Sequence, residues 1–318
     1  MIRKYSLPLL IFLLSLSLLF ISSSYLNTSD NIHQQGFNNK YNVYSVLKPD
    51  NLKFSNELVP NSSLDVWERL DKELLKNIYW QSNTLLYFKR ANKYFPIIEE
   101  ILAENNIPDD FKYLALIESG FEYTVSPSGA AGFWQIMKGT AREYGLEVNY
   151  AIDERYNLRK STEAACRYLQ KAYNEFGSWT MAAASYNMGI NGVRRKIQKQ
   201  ETNNYFNLHL NDETSRYVFR IIVIKEIIEN PRKYGFVFRD NDLYSYPQVK
   251  QIRVDSTINN LYSFAREHNI NYKILKKYNP WLRISKLPDE SRRVYYIDVP
   301  TSSDEIIFED LVVDESTK

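Results

Sequence analysis

Cysteine and histidine are scarce in this chain of 318 residues. A single cysteine, Cys166, cannot form an intrachain disulfide or a cysteine-based metal cluster. The three histidines, His33, His209 and His268, lie far apart in the sequence, which argues against a histidine metal site or a Ser-His-Asp triad. We therefore expect no metal and no cofactor, and we expect any chemistry to rest on carboxylates, hydroxyls and amides.

An excess of charge is also missing. The chain has 40 Lys+Arg against 38 Asp+Glu, and the numbers become equal when Arg3 and Lys4 near the N-terminus are set aside. Nucleic-acid-binding proteins cluster basic residues against phosphates, so this balance predicts no nucleic-acid partner. The hydrophobic content of 44% excludes a wholly disordered or collagen-like chain. Aromatic residues reach 14%, with 25 Tyr, which suits stacking against sugars although most of them belong to cores.

Residues 1–24 have the layout of an export signal. Arg3 and Lys4 precede an apolar run from Leu7 to Ile21, and three serines follow it. The run is shorter than the roughly 20 residues that cross a bilayer, so we predict a signal peptide; the alternative is an uncleaved segment that associates with the membrane. Because no cysteine lies near the run, the chain is not expected to be a lipoprotein. Either reading places the body outside the cytoplasm, in the periplasm or cell envelope.

The rest of the chain divides by composition and periodicity. Residues 25–63 are rich in Asn, Ser and Asp and are predicted to be a poorly ordered linker. Helical spacing of apolar residues dominates 64–234. A strand-helix-helix-strand pattern follows at 245–300, and an acidic tail at 301–318. The prediction is a mainly α domain with a small α+β (βααβ) C-terminal module, and Gly235–Phe238 is predicted as an extra strand.

Glu118 is the candidate catalytic carboxylate. On a helix, Phe111, Leu114, Ala115 and Glu118 fall on one face, so this carboxyl continues an apolar stripe. Gly120 would end the helix and place Glu118 at the negative end of the helix dipole. Desolvation and the dipole both raise a carboxyl pKa, which is what general-acid cleavage of a glycosidic bond requires. The alternatives are a Glu paired with an Arg, or one exposed to solvent.

Glycoside hydrolysis usually needs a second carboxylate. Asp153 and Glu154 are available, but their neighbour Arg155 makes a structural ion pair the better interpretation. The residues therefore leave open a mechanism with one carboxylate or an unidentified partner.

Two later segments carry polar groups among small residues. In 126–137, Gln135 offers a donor and an acceptor beside two glycines, a pattern that taken alone indicates tight packing. In 182–189, Tyr186 and Asn187 stand at a predicted helix end, where a core tyrosine and a capping asparagine are the alternatives.

Together these segments resemble motifs of the bacterial lytic murein transglycosylases that have a soluble-lytic-transglycosylase catalytic domain. Glu118-Ser119-Gly120-Phe121 is similar to the Glu-Ser-x-Phe catalytic motif. Residues 129–137 are similar to Gly-Ala-x-Gly-Leu-Trp/Met-Gln-x-Met, and 184–189 to Ala-Tyr-Asn-x-Gly. Shorter matches point to the membrane-bound type D branch: Asp153-Glu154-Arg155, Thr162-Glu163-Ala164-Ala165, Tyr168-Leu169 and Phe176-Gly177-Ser178-Trp179.

The C-terminal module resembles a LysM peptidoglycan-binding domain. Residues 275–280 (Leu-Lys-Lys-Tyr-Asn-Pro) are similar to the second helix of that family and its Asn-Pro end. The usual Gly-Asp-Thr-Leu is replaced by Asp255-Ser256-Thr257-Ile258, so the module is degenerate.

The resemblance implies a lysozyme-like fold that acts on peptidoglycan glycan strands at the bond between N-acetylmuramic acid (MurNAc) and N-acetylglucosamine (GlcNAc). It implies that Glu118 alone protonates the leaving oxygen and then deprotonates the muramyl C6 hydroxyl, which closes a 1,6-anhydro ring without water. By motif position, the residues that line the glycan subsites would be Ser126, Gln135, Met137 and Tyr186, supported by Asn187. The alternatives are a hydrolytic goose-type muramidase and a catalytically inactive wall-binding protein.

Overall fold

The computed structural model describes residues 31, 32, 35, 43–288 and 293–301. The predicted export signal, and all of the predicted acidic tail except Thr301, lie outside the described residues. None of the helices within those ranges combines the length and hydropathy needed to cross a bilayer.

Helices, joined by loops, form most of the structure between residues 64 and 229. They are α1 (Leu64–Tyr79), α2 (Gln81–Glu104), α3 (Phe111–Ser119), α4 (Lys138–Glu143), α5 (Leu158–Phe176), α6 (Trp179–Met188), α7 (Ile190–Gln200) and α8 (Asp212–Glu229). Short 3-10 helices at Glu154–Tyr156, Tyr205–Asn207 and Pro231–Tyr234 connect or follow them. The mainly α prediction for this domain is confirmed.

Helix α8 lies at the centre of the helical domain. Every residue from Tyr217 to Ile224 except Arg220 is buried, so the helix is apolar nearly all round. It packs against α1, α3 and α6, while α5 packs against α2 and α6. The side chain of Asn211 begins α8 by accepting a hydrogen bond from the Thr214 backbone N–H at 2.8 Å. The core therefore holds α3 and α6, two of the three motif-bearing segments, against one buried helix.

A short hairpin precedes the helical domain and corrects the linker prediction for residues 48–60. Strands β1 (Lys53–Phe54) and β2 (Glu57–Leu58) pair antiparallel. Phe54 is fully buried, with its ring edge-on to Phe111 at 5.3 Å. Composition alone missed this because a few buried apolar residues, Leu52, Phe54 and Val59, anchor a segment in which about half of the residues are polar.

Glu57 attaches the same hairpin to the start of α6. Its carboxylate accepts hydrogen bonds from the Ser178 hydroxyl and from the backbone N–H groups of Trp179 and Thr180, at 2.5–3.0 Å. The two backbone N–H groups are among the donors that a helix N-terminus leaves without partners, and the helix dipole favours a negative charge at this end.

The C-terminal module has the predicted βααβ order. Strands β3 (Val249–Val254) and β4 (Tyr295–Pro300) pair antiparallel, and α9 (Leu261–Glu267) and α10 (Tyr272–Tyr278) lie between them in sequence. The buried side chain of Asn279 donates to the Asp298 carbonyl at 2.7 Å and accepts from the Asp298 N–H at 2.8 Å. One amide therefore ties the end of α10 to β4.

The extra strand predicted at Gly235–Phe238 is wrong. The segment is irregular, and the rings of Phe236 and Phe238 both contact Phe88, at 5.3 and 4.8 Å. Aromatic residues at alternate positions normally indicate a strand, but here both rings pack against the same residue of α2, Phe88.

The module is docked on the helical domain through a shared apolar cluster. Ala131 and Ile152 of the helical domain belong to the same cluster as the module core. Ile152 forms an isolated β-bridge with Leu282, and the Asp153 N–H donates to the Trp281 carbonyl at 2.9 Å. The two parts therefore form a continuous body.

We predict that Glu57→Ala lowers the free energy of unfolding by about 1–2 kcal/mol, because it removes the charged cap of α6. Urea denaturation followed by circular dichroism measures the change. Glu68→Ala, at an exposed position of α1, is the control and should stay within about 0.5 kcal/mol. Equal stability of the two variants would contradict the assignment.

Candidate active site

Glu118 lies in the last turn of α3 and is partly buried. The Tyr217 hydroxyl of α8 donates a hydrogen bond to its Oε1. Burial raises the pKa of Glu118 from 4.5 to about 7, and the negative charge of Glu213 also raises it. The hydrogen bond from Tyr217 and the positive charge of Arg220 lower the pKa and partly oppose these effects. At neutral pH the carboxyl is therefore present in both protonation states, as general acid-base chemistry needs.

The end of α3 is shaped by local hydrogen bonds. Gly120 adopts a left-handed conformation, with φ of 59°, and closes the helix. The Ser119 hydroxyl donates to the Phe133 carbonyl at 2.9 Å and accepts from the Phe121 N–H at 3.1 Å. Serine therefore connects the helix that carries Glu118 to the glycine-rich loop that carries Gln135.

An ion pair organises the glycine-rich loop. Arg155 pairs with Asp153 at 2.7 Å, and its guanidinium donates to the carbonyls of Gly129 and Ile136, at 2.8 and 3.1 Å. Gly132 has φ of 77°, and an added Cβ would lie 1.9 Å from the Arg155 carbonyl oxygen. The pair is structural, as the sequence indicated, and the loop requires glycine at position 132.

Gln135 is held in the left-handed region, with φ of 45°. Its Nε2 donates to the carbonyls of Gly132 and Thr124, at 2.9 and 3.1 Å. Within the described residues its Oε1 accepts no hydrogen bond, so this oxygen is available to a ligand. A non-glycine residue in this conformation carries strain that the surrounding hydrogen bonds offset.

The two residues at the end of α6 are fixed by neighbouring elements. Tyr186 donates to the Trp134 carbonyl at 2.7 Å, and burial and the charge of Glu118 raise its pKa well above the usual value. Asn187 donates to the Glu213 carboxylate at 2.8 Å and accepts from the Thr214 hydroxyl at 2.6 Å. Asn187 therefore links α6 to α8 instead of only capping its own helix.

A depression of about 240 Å³ gathers four of the predicted binding residues: Gln135, Met137, Tyr186 and Asn187. Met137 has 44% of its surface exposed there. Ser126 does not line this depression; its hydroxyl accepts from the Ala130 N–H at 3.0 Å and shapes the turn before the loop. Glu118 does not line it either, but lies beside Tyr186, whose pKa its charge affects.

The sequence analysis missed the contribution of α8. Tyr217 contacts Glu118 from 99 residues further along the chain, and Glu213 and Thr214 contact Asn187 from 26 and 27 residues further along. Glu213 and Tyr217 are four residues apart and share a helix face, which is the one signal that could have suggested them. Among the described residues, no group of three or more His, Cys, Asp or Glu side chains is placed to hold a metal ion.

Family models match both parts of the chain. Residues 95–209 match the Transglycosylase SLT domain, and residues 250–303 match the Soluble lytic transglycosylase C-terminal LysM-like domain. These matches fall in the two parts of the chain for which the motifs predicted a transglycosylase domain and a LysM-like module.

Full-length relatives are similar over part of their length. The membrane-bound lytic murein transglycosylase D of Escherichia coli K12 is 31% identical over 174 residues, which cover 53% of this chain and 38% of that protein. The protein of the same name in Escherichia coli O6:H1 gives the same values. The crystal structure of the 70 kDa soluble lytic transglycosylase SLT70 from Escherichia coli aligns with a TM-score of 0.37 and 21% identity, over 45% of this chain and 25% of that one. The chain thus spans well under half the length of these relatives.

We predict that Tyr217→Phe raises the pKa of Glu118 by about one unit, because the lost hydrogen bond stabilises the carboxylate. Carbon-13 NMR of labelled glutamate carboxyls measures it. Tyr113→Phe removes a hydroxyl from α3 itself, where it contacts Glu229 and not Glu118, and should leave the pKa of Glu118 unchanged. A pKa that stays the same in both variants would count against the role of Tyr217.

Proposed function

We propose that the chain is a peptidoglycan lytic transglycosylase that cleaves the β-1,4 bond between MurNAc and GlcNAc and leaves a 1,6-anhydroMurNAc end. The observation that carries the proposal is the partly buried carboxyl of Glu118, with a pKa near 7, whose charge acts on Tyr186 in the wall of the depression. The match to the SLT domain and the similarity to murein transglycosylases support the same function.

Glu118 serves first as acid and then as base. Protonated Glu118 gives its proton to the glycosidic oxygen as the C1–O bond breaks, and the muramyl N-acetyl group stabilises the positive centre at C1. The carboxylate then takes the proton of the C6 hydroxyl, whose oxygen bonds to C1 and closes the ring. Tyr217 occupies Oε1 throughout, so we assign the proton transfers to Oε2.

One carboxylate is enough for this reaction, and the environment of the others supports it. Asp153 is engaged with the Arg155 guanidinium, and Glu213 accepts from Asn187. Because the nucleophile is the substrate's own C6 hydroxyl, no residue has to activate water. A hydrolytic muramidase would need a second carboxylate for that step, and Glu213 is the candidate that acts electrostatically on Glu118.

Substrate binding is assigned to the residues around the depression. Gln135 offers its free Oε1 to a sugar hydroxyl or amide, Met137 an exposed apolar surface, and Tyr186 and Asn187 form the opposite wall. We also propose that Ser126 contributes to the glycan subsites, because its hydroxyl shapes the turn before the glycine-rich loop. We further propose that the chain is exported to the periplasm or cell envelope, and that an uncleaved N-terminal segment would add membrane association.

We predict that Glu118→Gln lowers turnover of purified murein sacculi at least about 1,000-fold and retains binding, since the amide keeps the shape but cannot exchange the proton. Glu122→Gln, an exposed position paired with Arg90, is the control and should keep most of the activity. Mass spectrometry of the products of the unsubstituted chain should show anhydromuramyl ends, one water lighter than hydrolytic products. Equal turnover in Glu118→Gln would leave the proposed role of Glu118 without support, and absence of turnover in both proteins would point to the inactive wall-binding alternative.

We predict that Glu213→Gln keeps activity and moves the alkaline limb of the kcat/KM profile to lower pH. The negative charge of Glu213 raises the pKa of Glu118, so its removal lowers that pKa and the acid form is lost earlier as pH rises. Glutamine still offers Asn187 an acceptor oxygen. A loss of about 100-fold or more with hydrated products would instead favour the muramidase alternative.

A further inference from the structure

A second cavity, of about 290 Å³, lies between the helical domain and the C-terminal module. The helical domain contributes Tyr94 of α2, Tyr123 and the start of α5, and the module contributes Gln251, Tyr296 and Asp298. Its volume is close to the lower end of ligand pockets, about 300 Å³. Both walls are needed to form this interdomain cleft, so neither part would present it alone.

Hydroxyl groups without partners line the interdomain cleft. The phenols of Tyr94, Tyr123 and Tyr246 make no hydrogen bond within the described part of the chain, although each can donate and accept one. The Asp298 carboxylate lies close enough to affect the pKa values of Tyr123 and Tyr246, and it accepts from Gln251 at 2.9 Å. The interdomain cleft is therefore lined by several polar atoms that can still form hydrogen bonds with a ligand.

Two aromatic rings flank these polar groups from opposite domains. Tyr123 lines the interdomain cleft and is 42% exposed; its ring stacks on Phe133 at 4.6 Å and lies 6.1 Å from the ring of Tyr156. Tyr296 of β4 is 49% exposed. Flat ring faces beside hydroxyls and a carboxylate suit a pyranose, which has an apolar C–H face and a rim of hydroxyls.

The lysine and arginine side chains that line the interdomain cleft are already paired and offer little attraction to an anionic ligand, while the carboxyl groups of Glu163 and Asp298 also line it. Lys160 is paired with Glu154 at 2.5 Å, and Arg159 with Glu100 at 3.1 Å. The ammonium of Lys93 already lies over the rings of Tyr94 and Tyr246, at 5.2 and 5.7 Å. An incoming ammonium group would therefore meet a cation of the protein at these rings, while a sugar would not.

The interdomain cleft adjoins the glycine-rich loop of the candidate active site. Tyr123 stacks on Phe133, two residues before Gln135, and Gln135 donates to the carbonyl of Thr124. A strand of sugars that leaves the active site along this segment would meet Tyr123 next.

We propose that the interdomain cleft is a second glycan-binding site, which takes one GlcNAc ring, an uncharged amino sugar, of the strand whose cleavage is proposed above. Tyr123 and Tyr296 stack on this ring from opposite sides, and the phenols of Tyr94 and Tyr246 bond the sugar hydroxyls. The inference rests on the proposed function for the identity of the strand, and it requires both domains in one chain.

Titration calorimetry on the full chain with the Glu118→Gln substitution tests the site without cleavage. The probes are a β-1,4-linked GlcNAc hexamer and purified peptide-free murein glycan strands. Tyr296→Ala should weaken binding about tenfold and Tyr94→Phe about fivefold, and thermal melts should show that both variants remain folded. Tyr262→Ala removes a similarly exposed tyrosine (52%) of the module from outside the interdomain cleft and should bind as tightly as the parent.

Three outcomes would overturn the assignment. Unchanged affinity in both cleft variants removes the site, even if the unsubstituted chain cleaves murein. An equal loss in Tyr262→Ala places binding on another face of the module. A large loss with Asp298→Asn for peptide-bearing muropeptides, with no change for peptide-free strands, assigns the cleft to a charged peptide stem. Conversely, tight binding that depends on Tyr94 and Tyr296 in a chain that cleaves nothing supports the site and contradicts only the proposed function.

Discussion

The burial of one carboxyl group is the constraint on which the site depends. Glu118 is partly withdrawn from water, and this raises its pKa to about 7, against the opposing effects of Tyr217 and Arg220. The arrangement costs stability: because the folded pKa lies above the ordinary value of 4.5, this group's contribution falls as pH rises from about 4.5 through about 7, by on the order of 1–3 kcal/mol. The buried helix α8 and the core around it offset that cost.

Much of the chain holds the surroundings of that carboxyl in place. Ser119 connects its helix to the glycine-rich loop, and the Asp153–Arg155 pair fixes the loop through the carbonyls of Gly129 and Ile136. Glu57 caps α6, the helix that presents Tyr186 and Asn187. Groups that lie far from Glu118 in the sequence therefore support the segments that surround it.

The C-terminal module is part of this support and not a separate attachment. Trp281 accepts from the backbone N–H of Asp153, the residue whose carboxylate pairs with Arg155, and Ala131 of the loop packs in the module's own apolar cluster. Because the module is held against the helical domain, the surface that the two parts form together has a defined geometry. Glycan binding in the interdomain cleft, as proposed, would therefore help to position a strand at Glu118 without the ordering cost of a flexible linker.

The sequence by itself determined what depends on neighbours along the chain. Helical spacing placed Glu118 on an apolar face, Gly120 ended its helix, Arg155 identified its carboxylate neighbour as a structural partner, and the βααβ order of the module followed from local patterns. Only the tertiary structure decided that Tyr217 donates to Glu118, that Asn187 contacts Glu213, that Phe54 anchors part of the presumed linker and that two domains form one cleft. Periodicity reports which face of a helix is buried, whereas contacts between residues that are distant in the sequence depend on how those faces pack.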